Sequence, residues 1–321
     1  MENHLNYRVP HRKNSSYRGS GKWSTLLKWI LFVSLFAILV IVLLVFAEYS
    51  KEKSSNKLRI KESYSQMYYN RNYLELIEKM DGELKVDMYQ PEYLAYRGIA
   101  YYLLGEAEKD LSKRNIYLDH ALYDLRKVLV LSSSQELLSN VYFCLGKIYY
   151  YYGTGYYNQT IEYMTKALKI GNERTDLLYV LGLVYSYIGD YEKANEVLLK
   201  SITMERSDLS LLALGVNHER MEKFSEAKQY LEEVVDRSID KKNKEQALLV
   251  LGRINFEQKE YKRAFDYYNQ IIDLNENSYE AYFQRGEIYN IYYGDRIKAR
   301  ADWRKTIEIV PSHISANNRL R

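Results

Sequence analysis

Glycine recurs at Gly98, Gly146, Gly182, Gly215, Gly252 and Gly286, each time inside an apolar helical pattern. A second amphipathic segment follows each one. There an alanine usually precedes a large apolar residue by four positions: Ala121 and Leu125, Ala194 and Leu198, Ala227 and Leu231, Ala264 and Tyr268, Ala299 and Trp303, with Thr160 and Met164 in the remaining copy. A glycine or alanine lets two helices approach closely, and the large residue fills the space beside the contact. A helix pair this short cannot bury its own apolar face and becomes stable only by stacking on its neighbours. The expected fold is therefore all-α, a solenoid of about six to seven helical hairpins whose long surface suits it to holding other macromolecules.

The rest of the composition agrees. Only Pro10, Pro91 and Pro311 occur, so almost nothing interrupts helix between residues 92 and 310. Residues 1–47 hold Arg8, Arg12, Lys13, Arg18, Lys22 and Lys28 against Glu2 alone, whereas the remaining chain has 40 basic and 41 acidic residues. A repeat region so balanced carries no electrostatic footprint for nucleic acid. The single Cys144 excludes an internal disulfide, and its place in a core helix makes it a buried, inert thiol.

From Trp29 to Ala47 the chain reads WILFVSLFAILVIVLLVFA, in which Ser34 is the only polar side chain. A helix of that length spans roughly 28 Å, close to the ~30 Å hydrocarbon core of a bilayer. Trp23 and Trp29 at one end and Tyr49 at the other suit the two interfaces. Val45-Phe46-Ala47 also fits a signal-peptidase site, but the 28-residue basic leader and the long apolar stretch favour an uncleaved anchor. Cations crowd both flanks, including Lys51, Lys53, Lys57, Arg59 and Lys61, so counting them barely orients the span. The cost of moving the cationic leader across the membrane keeps it in the cytoplasm, and the repeats are expected on the far side, periplasmic in a bacterium. The expected organisation is a basic cytoplasmic tail (1–28), a transmembrane helix (29–47), a polar stalk (48–57), the solenoid (58–311) and a C-terminal tail (312–321).

The clearest copy runs from Thr175 to Arg206: Leu178, Leu181, Gly182 and Tyr185 share one helix face, Gly189-Asp190 makes a turn, and Tyr191, Ala194, Leu198 and Ser201 face back. Tyr142, Leu145, Gly146 and Tyr149 lead another copy, and Tyr282, Gly286, Tyr289, Ala299, Trp303 and Pro311 form the last. His218 and Asn255 stand where tyrosine is usual, and about eleven extra residues lie around Gly105 to Asn115. Tyr64 to Met80 reads as a degenerate leading pair. The glycine spacings of 48, 36, 33, 37 and 34 residues imply local loops on a regular repeat. These residues resemble the tetratricopeptide repeat (TPR), with its Leu-Gly, Tyr, Ala, aromatic and closing Pro, over roughly residues 58–311. The fold so implied is a TPR α-solenoid preceded by a single transmembrane helix.

In that fold the first helix of each pair lines the concave face, through slots three before and one, four and five after each glycine. The partner-binding candidates are Tyr102; Phe143, Tyr150 and Tyr151; Tyr179, Leu183 and Tyr187; Leu212 and Val216; Leu249 and Phe256; and Phe283. Lys147, Glu219, Arg220, Arg253, Glu257 and Glu287 occupy charged slots. So large an apolar and aromatic surface is rarely left unused, and aromatic anchors dominate contact energies. The alternative is that these side chains cover neighbouring helices, above all Tyr150 to Tyr152, Tyr156 and Tyr157. Repeats of this family that clamp a C-terminal carboxylate supply Lys and Asn to the groove, unlike this one.

Catalytic chemistry has no motif here. The five histidines are scattered, with no second ligand at metal-binding spacing, and His218 fills a packing slot. Gly153-Thr154-Gly155 reads as a turn, and Asn158-Gln159-Thr160 matches a glycosylation acceptor only weakly. No enzyme activity, catalytic residue, metal, cofactor, nucleic acid or small-molecule substrate is expected. The partners are other proteins of a membrane-associated complex, and the bilayer through residues 29–47. In overall style the chain is similar to the membrane-anchored TPR proteins of the spirochaetal periplasmic flagellar collar, which implies a scaffold that assembles or stabilises an envelope complex. The alternative is a chaperone-like escort, resembling the anchored TPR partner of the bacterial secretion channel.

Overall fold

The computed structural model describes residues 21–321, with side chains described at 27–51, 64 and 66–321. Residues 1–20, which hold most of the basic tail, and the Trp23 ring lie outside the described residues. The chain divides into two compact units, Met1–Asn72 and Tyr73–Arg321.

The first unit contains one helix, α1 (Gly21–Tyr69). Its segment Leu27–Lys51 is long and apolar enough to cross a membrane, and its apolar side chains are exposed. A signal sequence near an N-terminus also passes this test of length and composition. Residues 48–57, read above as a polar stalk between the transmembrane helix and the solenoid, continue α1 without a break. The stretch is polar but holds no proline or glycine, so nothing stops the helix until Arg71 takes a left-handed conformation (φ 59°).

The second unit comprises α2 (Tyr73–Val86), α3 (Pro91–Ala107), α4 (Leu111–Leu131), α5 (Gln135–Tyr152), α6 (Tyr157–Lys169), α7 (Thr175–Tyr187), α8 (Tyr191–Met204), α9 (Asp208–Arg220), α10 (Phe224–Arg237), α11 (Lys241–Glu257), α12 (Tyr261–Leu274), α13 (Tyr279–Ile291), α14 (Arg296–Ile309) and α15 (Ile314–Leu320). No strand occurs among the described residues. Six hairpins, α3–α4 through α13–α14, follow α2, on which Leu76 and Met80 are buried as the leading-pair pattern expects.

Each hairpin closes on its glycine. A Cβ built on Gly98, Gly146, Gly182, Gly215, Gly252 or Gly286 would lie within 3.0 Å of Leu125, Met164, Leu198, Leu231, Tyr268 or Trp303 respectively. These are the large residues marked by the four-residue spacing from alanine. Capping fixes where the helices start and stop. The side chains of Asp110, Ser134, Asp190, Ser207, Asp240 and Asp295 accept N–H bonds at N-termini. At the turn inside each of three successive hairpins, Gly189, Glu222 and Lys259 take the left-handed conformation, and the next N–H reaches back to the last helical turn (Asp190 to Tyr185 O, Lys223 to His218 O, Glu260 to Asn255 O).

The irregular spacings have a different cause from the loops expected. In α3–α4 the extra residues lengthen both helices, and Gly105 meets Leu118 as Gly98 meets Leu125. Both pairs of positions are seven residues apart, which is two helical turns, so one contact is used twice. The spacing of 37 arises because α11 begins eleven residues before Gly252, one turn earlier than α9 begins before Gly215. Only the spacing of 36 comes from a connection: Gly153 (φ 89°) and the 3₁₀ turn Thr154–Tyr156 intervene between α5 and α6. Residues 312–321, expected as a tail, hold α15, whose Ala316 is buried in one core cluster with Ala299 and Trp303.

Candidate protein-binding face

Each second helix, from α4 to α12, touches the first helices on either side of it, and α3, α5, α7, α9 and α11 also touch one another in order. Where neighbouring helices approach most closely, a solenoid has its inner layer, so the first helices form that side. The expected candidates all lie on it, at three depths. Tyr102, Phe143 and Leu249 are 3%, 3% and 8% exposed, so they are framework beneath the surface and not contacts on it. Tyr150, Tyr151, Tyr179, Leu183, Leu212, Val216, Phe256 and Phe283 are half-buried, and Tyr187 is exposed. The difference arises because a slot's depth depends on the side chain that the next repeat lays over it. Arg174, for example, covers the Phe143 ring at 4.0 Å.

Charge is concentrated where successive first helices meet. Between α3 and α5, Glu106 accepts from the hydroxyls of Tyr102 (2.8 Å) and Tyr151 (2.9 Å) and pairs with Lys147 Nζ (3.0 Å). Burial pushes the Glu106 carboxyl up, but Lys147 and the two hydroxyls outweigh it and hold the group below its ordinary value. Tyr102 moves the other way, raised by burial and by the carboxylate beside it. Between α9 and α11, Arg253 Nε donates to Glu219 Oε1 at 2.7 Å. The buried Oε2 of Glu219 has no hydrogen-bond partner among the described residues and lies 3.8 Å from Arg220 Nε. From α15, Arg319 forks onto both oxygens of Glu287 on α13 (2.9 and 2.6 Å). Arg319 was invisible as a site residue because the last recognised repeat stopped at Pro311.

Between the Glu106 and Glu219 pairs lies a stretch of α5, α7 and α9 whose slots, Ser186 apart, are aromatic or aliphatic: Tyr150, Tyr179, Leu183, Tyr187, Leu212 and Val216. His218 stays out of it, stacked on Tyr230 at 5.5 Å, and its buried Nδ1 has no hydrogen-bond partner among the described residues. Burial lowers the His218 pKa, as a packing residue requires. Among the described residues, no three His, Cys, Asp or Glu side chains converge as a metal site. This extended, mostly apolar face bracketed by ion pairs is the candidate protein-binding surface.

Comparison with known proteins places that class. Two tetratricopeptide-repeat family models match, one over residues 175–208 and the other over residues 212–288. A TPR repeat-containing protein of Methanocaldococcus jannaschii is 28% identical over 156 residues, covering 47% of this chain. The match spans only 26% of that relative's length. Among solved structures, the C-terminal part of a TPR repeat-containing protein from Cytophaga hutchinsonii superposes with a TM-score of 0.61 at 20% identity, over 81% of this chain and 99% of its own. PilF of Pseudomonas aeruginosa gives 0.54 at 19%, over 69% and 95%. At these identities the structures establish the fold alone. The chain is a tetratricopeptide-repeat solenoid, a fold that serves as a protein-interaction scaffold.

Proposed function

We propose that the protein is a membrane-anchored TPR scaffold that recruits or braces other proteins of an envelope complex, with Leu27–Lys51 as its anchor and the repeats on the periplasmic side. The observation that carries this reading is the half-exposed aromatic and aliphatic stretch of α5, α7 and α9 between the Lys147–Glu106 and Arg253–Glu219 pairs, continuous across three repeats. Aromatic side chains supply large contact area at small entropic cost, so such a face binds a partner segment well. The exposed apolar side chains of α1 support the anchor. The flagellar-collar resemblance suggests one such complex.

The test is crosslinking in intact membranes followed by identification of attached proteins, with the chain carrying Tyr187→Asp and Phe256→Asp. Tyr187 is exposed and Phe256 is half-buried at the edge of a core cluster, so wild-type helical circular dichroism of the variant is measured alongside as the control for folding. Phe143 is unsuitable, because aspartate there would bury a charge. Loss of the attached proteins is expected. Unchanged attachment removes the proposed face. A fixed ratio of partner to scaffold supports bracing, whereas varied substoichiometric clients indicate an escort.

A further inference from the structure

One part of this face has a more specific chemistry than apolarity. Gly153, at φ 89°, reverses the chain after α5, so that Tyr157 opens α6 beside α7. Its ring stacks on Tyr187 at 5.6 Å with an interplanar angle of 13°. Tyr187 is 60% exposed, and Tyr150 is half-buried beside it, its phenol pushed up to about 12 by burial and by the neighbouring tyrosines. Tyr179, on the same helix as Tyr187, is half-buried. Four tyrosines from three helices thus share one patch of flat rings and hydroxyls. Among the described residues, no cation sits over any of these four rings and no carboxylate accepts from their hydroxyls, whereas the neighbouring Tyr151 has both. Charge begins one residue away, where Tyr151 meets Glu106, Lys147 and Arg114.

A ligand complementary to this patch is uncharged, offers flat apolar surface to the rings, and carries hydrogen-bond acceptors for the hydroxyls. An apolar α-helix meets the first two needs and fails the third, because its carbonyls are spent on its own N–H groups. A polyproline II segment meets all three. Its rings are apolar, and its carbonyls have no internal partner. It is also already extended, so little conformational entropy is lost when an aromatic-lined groove takes it up. Stacked nucleobases would need free cations for the phosphates, and the two beside the patch are already engaged, Lys147 with Glu106 and Arg114 with the Glu108 carbonyl.

We infer that the Tyr150–Tyr157–Tyr179–Tyr187 patch is a docking site for a proline-rich, polyproline II segment of the partner protein. This rests on the reading of the first-helix layer as the contact face. The test is fluorescence anisotropy of labelled decaproline titrated with the full chain in detergent micelles. Saturable binding is expected, weakened about tenfold by Tyr187→Ala and about threefold by Tyr187→Phe, which keeps the ring and removes only the hydroxyl. Tyr293→Ala, at the far end of the solenoid, leaves it unchanged. Absence of saturable binding, equal binding by Tyr187→Ala, or displacement of decaproline by a lower concentration of an Ala/Leu helical peptide or of oligothymidylate each overturns the assignment. If decaproline fails while Tyr187→Asp with Phe256→Asp still abolishes crosslinking, the contact face stands and only its occupant changes.

Discussion

The first and last complete hairpins, α3–α4 and α13–α14, are fastened differently from the four between them. Immediately before the repeat glycine the inner hairpins carry Leu145, Leu181, Leu214 and Leu251, all buried. The outer two carry arginine. Arg97 forks onto Asp124 (2.7 and 2.8 Å) and reaches back to Asp81 on α2 (2.6 Å). Arg285 repeats the arrangement, with Asp302 at 2.8 Å twice and Asn269 on α12 at 2.8 Å. Asp124 and Asp302 directly precede Leu125 and Trp303, the residues that fill the glycine notch, while the inner hairpins have Tyr163, Val197, Tyr230 and Tyr267 there. An apolar seam stabilises a stack without defining its register sharply. A forked arginine accepts one geometry and, here, joins three helices at once. The ion pairs thus fix register near the ends of the row of hairpins, and leucine suffices inside it.

Four experiments can break or sharpen this contrast. The largest effect is expected from Arg97→Leu, which leaves the Asp124 carboxylate, 1% exposed, without its fork, at a cost of about 3–5 kcal/mol. Hydrogen exchange of the α3–α4 amides measures it locally, and Arg97→Leu with Asp124→Val should regain most of the loss. A double variant as weak as the single one would end the distinction between ion-pair and apolar fastening. Next come the glycine notches. Gly215→Ala drives a Cβ to 2.6 Å from Leu231 Cγ, and the overpacking exceeds the gain in helix propensity by about 1–2 kcal/mol. Gly286→Ala should cost more, because the rigid Trp303 ring at 2.7 Å cannot fold away as a leucine can. Thermal unfolding of both variants decides the order.

A smaller effect, of opposite sign, is expected at the turns. Glu222→Gly and Lys259→Gly relieve left-handed backbone that glycine adopts freely, and each should gain about 0.5–1 kcal/mol in urea unfolding. Gly82→Ala, with no atom within 4 Å of the new Cβ, should gain about 1 kcal/mol by helix propensity alone. The smallest effect is a pH dependence confined to the inner hairpins. Burial lowers the His218 pKa below its ordinary 6.5, Lys223 lowers it further, and Glu226 opposes them. A depressed folded-state pKa means stability is complete above the unfolded value and is lost as pH falls through the folded one. Stability should therefore decline as pH drops below 6.5, and His218→Tyr should remove that decline, as followed by thermal melts across pH 5–7.5.

The hairpins were legible in the sequence because their signal is local. Glycine marks one helix, alanine and a large residue four positions later mark the other, and all six notches fall where that spacing puts them. Even the lengthened first hairpin had a trace, in the seven-residue intervals from Gly98 to Gly105 and from Leu118 to Leu125. The candidate face was legible in position but not in depth. Phe143 and Tyr179 occupy the same slot of successive repeats, yet Arg174 covers the first and the second stays half-open. The arginine forks were hidden for a related reason. Arg97 and Asp124 lie 27 residues apart with no period connecting them, so only the folded chain shows that they meet.

Cys144 lies on α5, 3% exposed, and burial pushes its thiol pKa up to about 12, so it is unreactive while the α5–α6 hairpin is closed. Because it is the chain's only cysteine, a thiol-reactive reagent added in excess can modify the protein only when that hairpin opens. The molecule therefore carries its own clock for breathing of the segment that holds the tyrosine patch. Any ligand that tightens α5 against α7 should slow that clock without needing a label of its own.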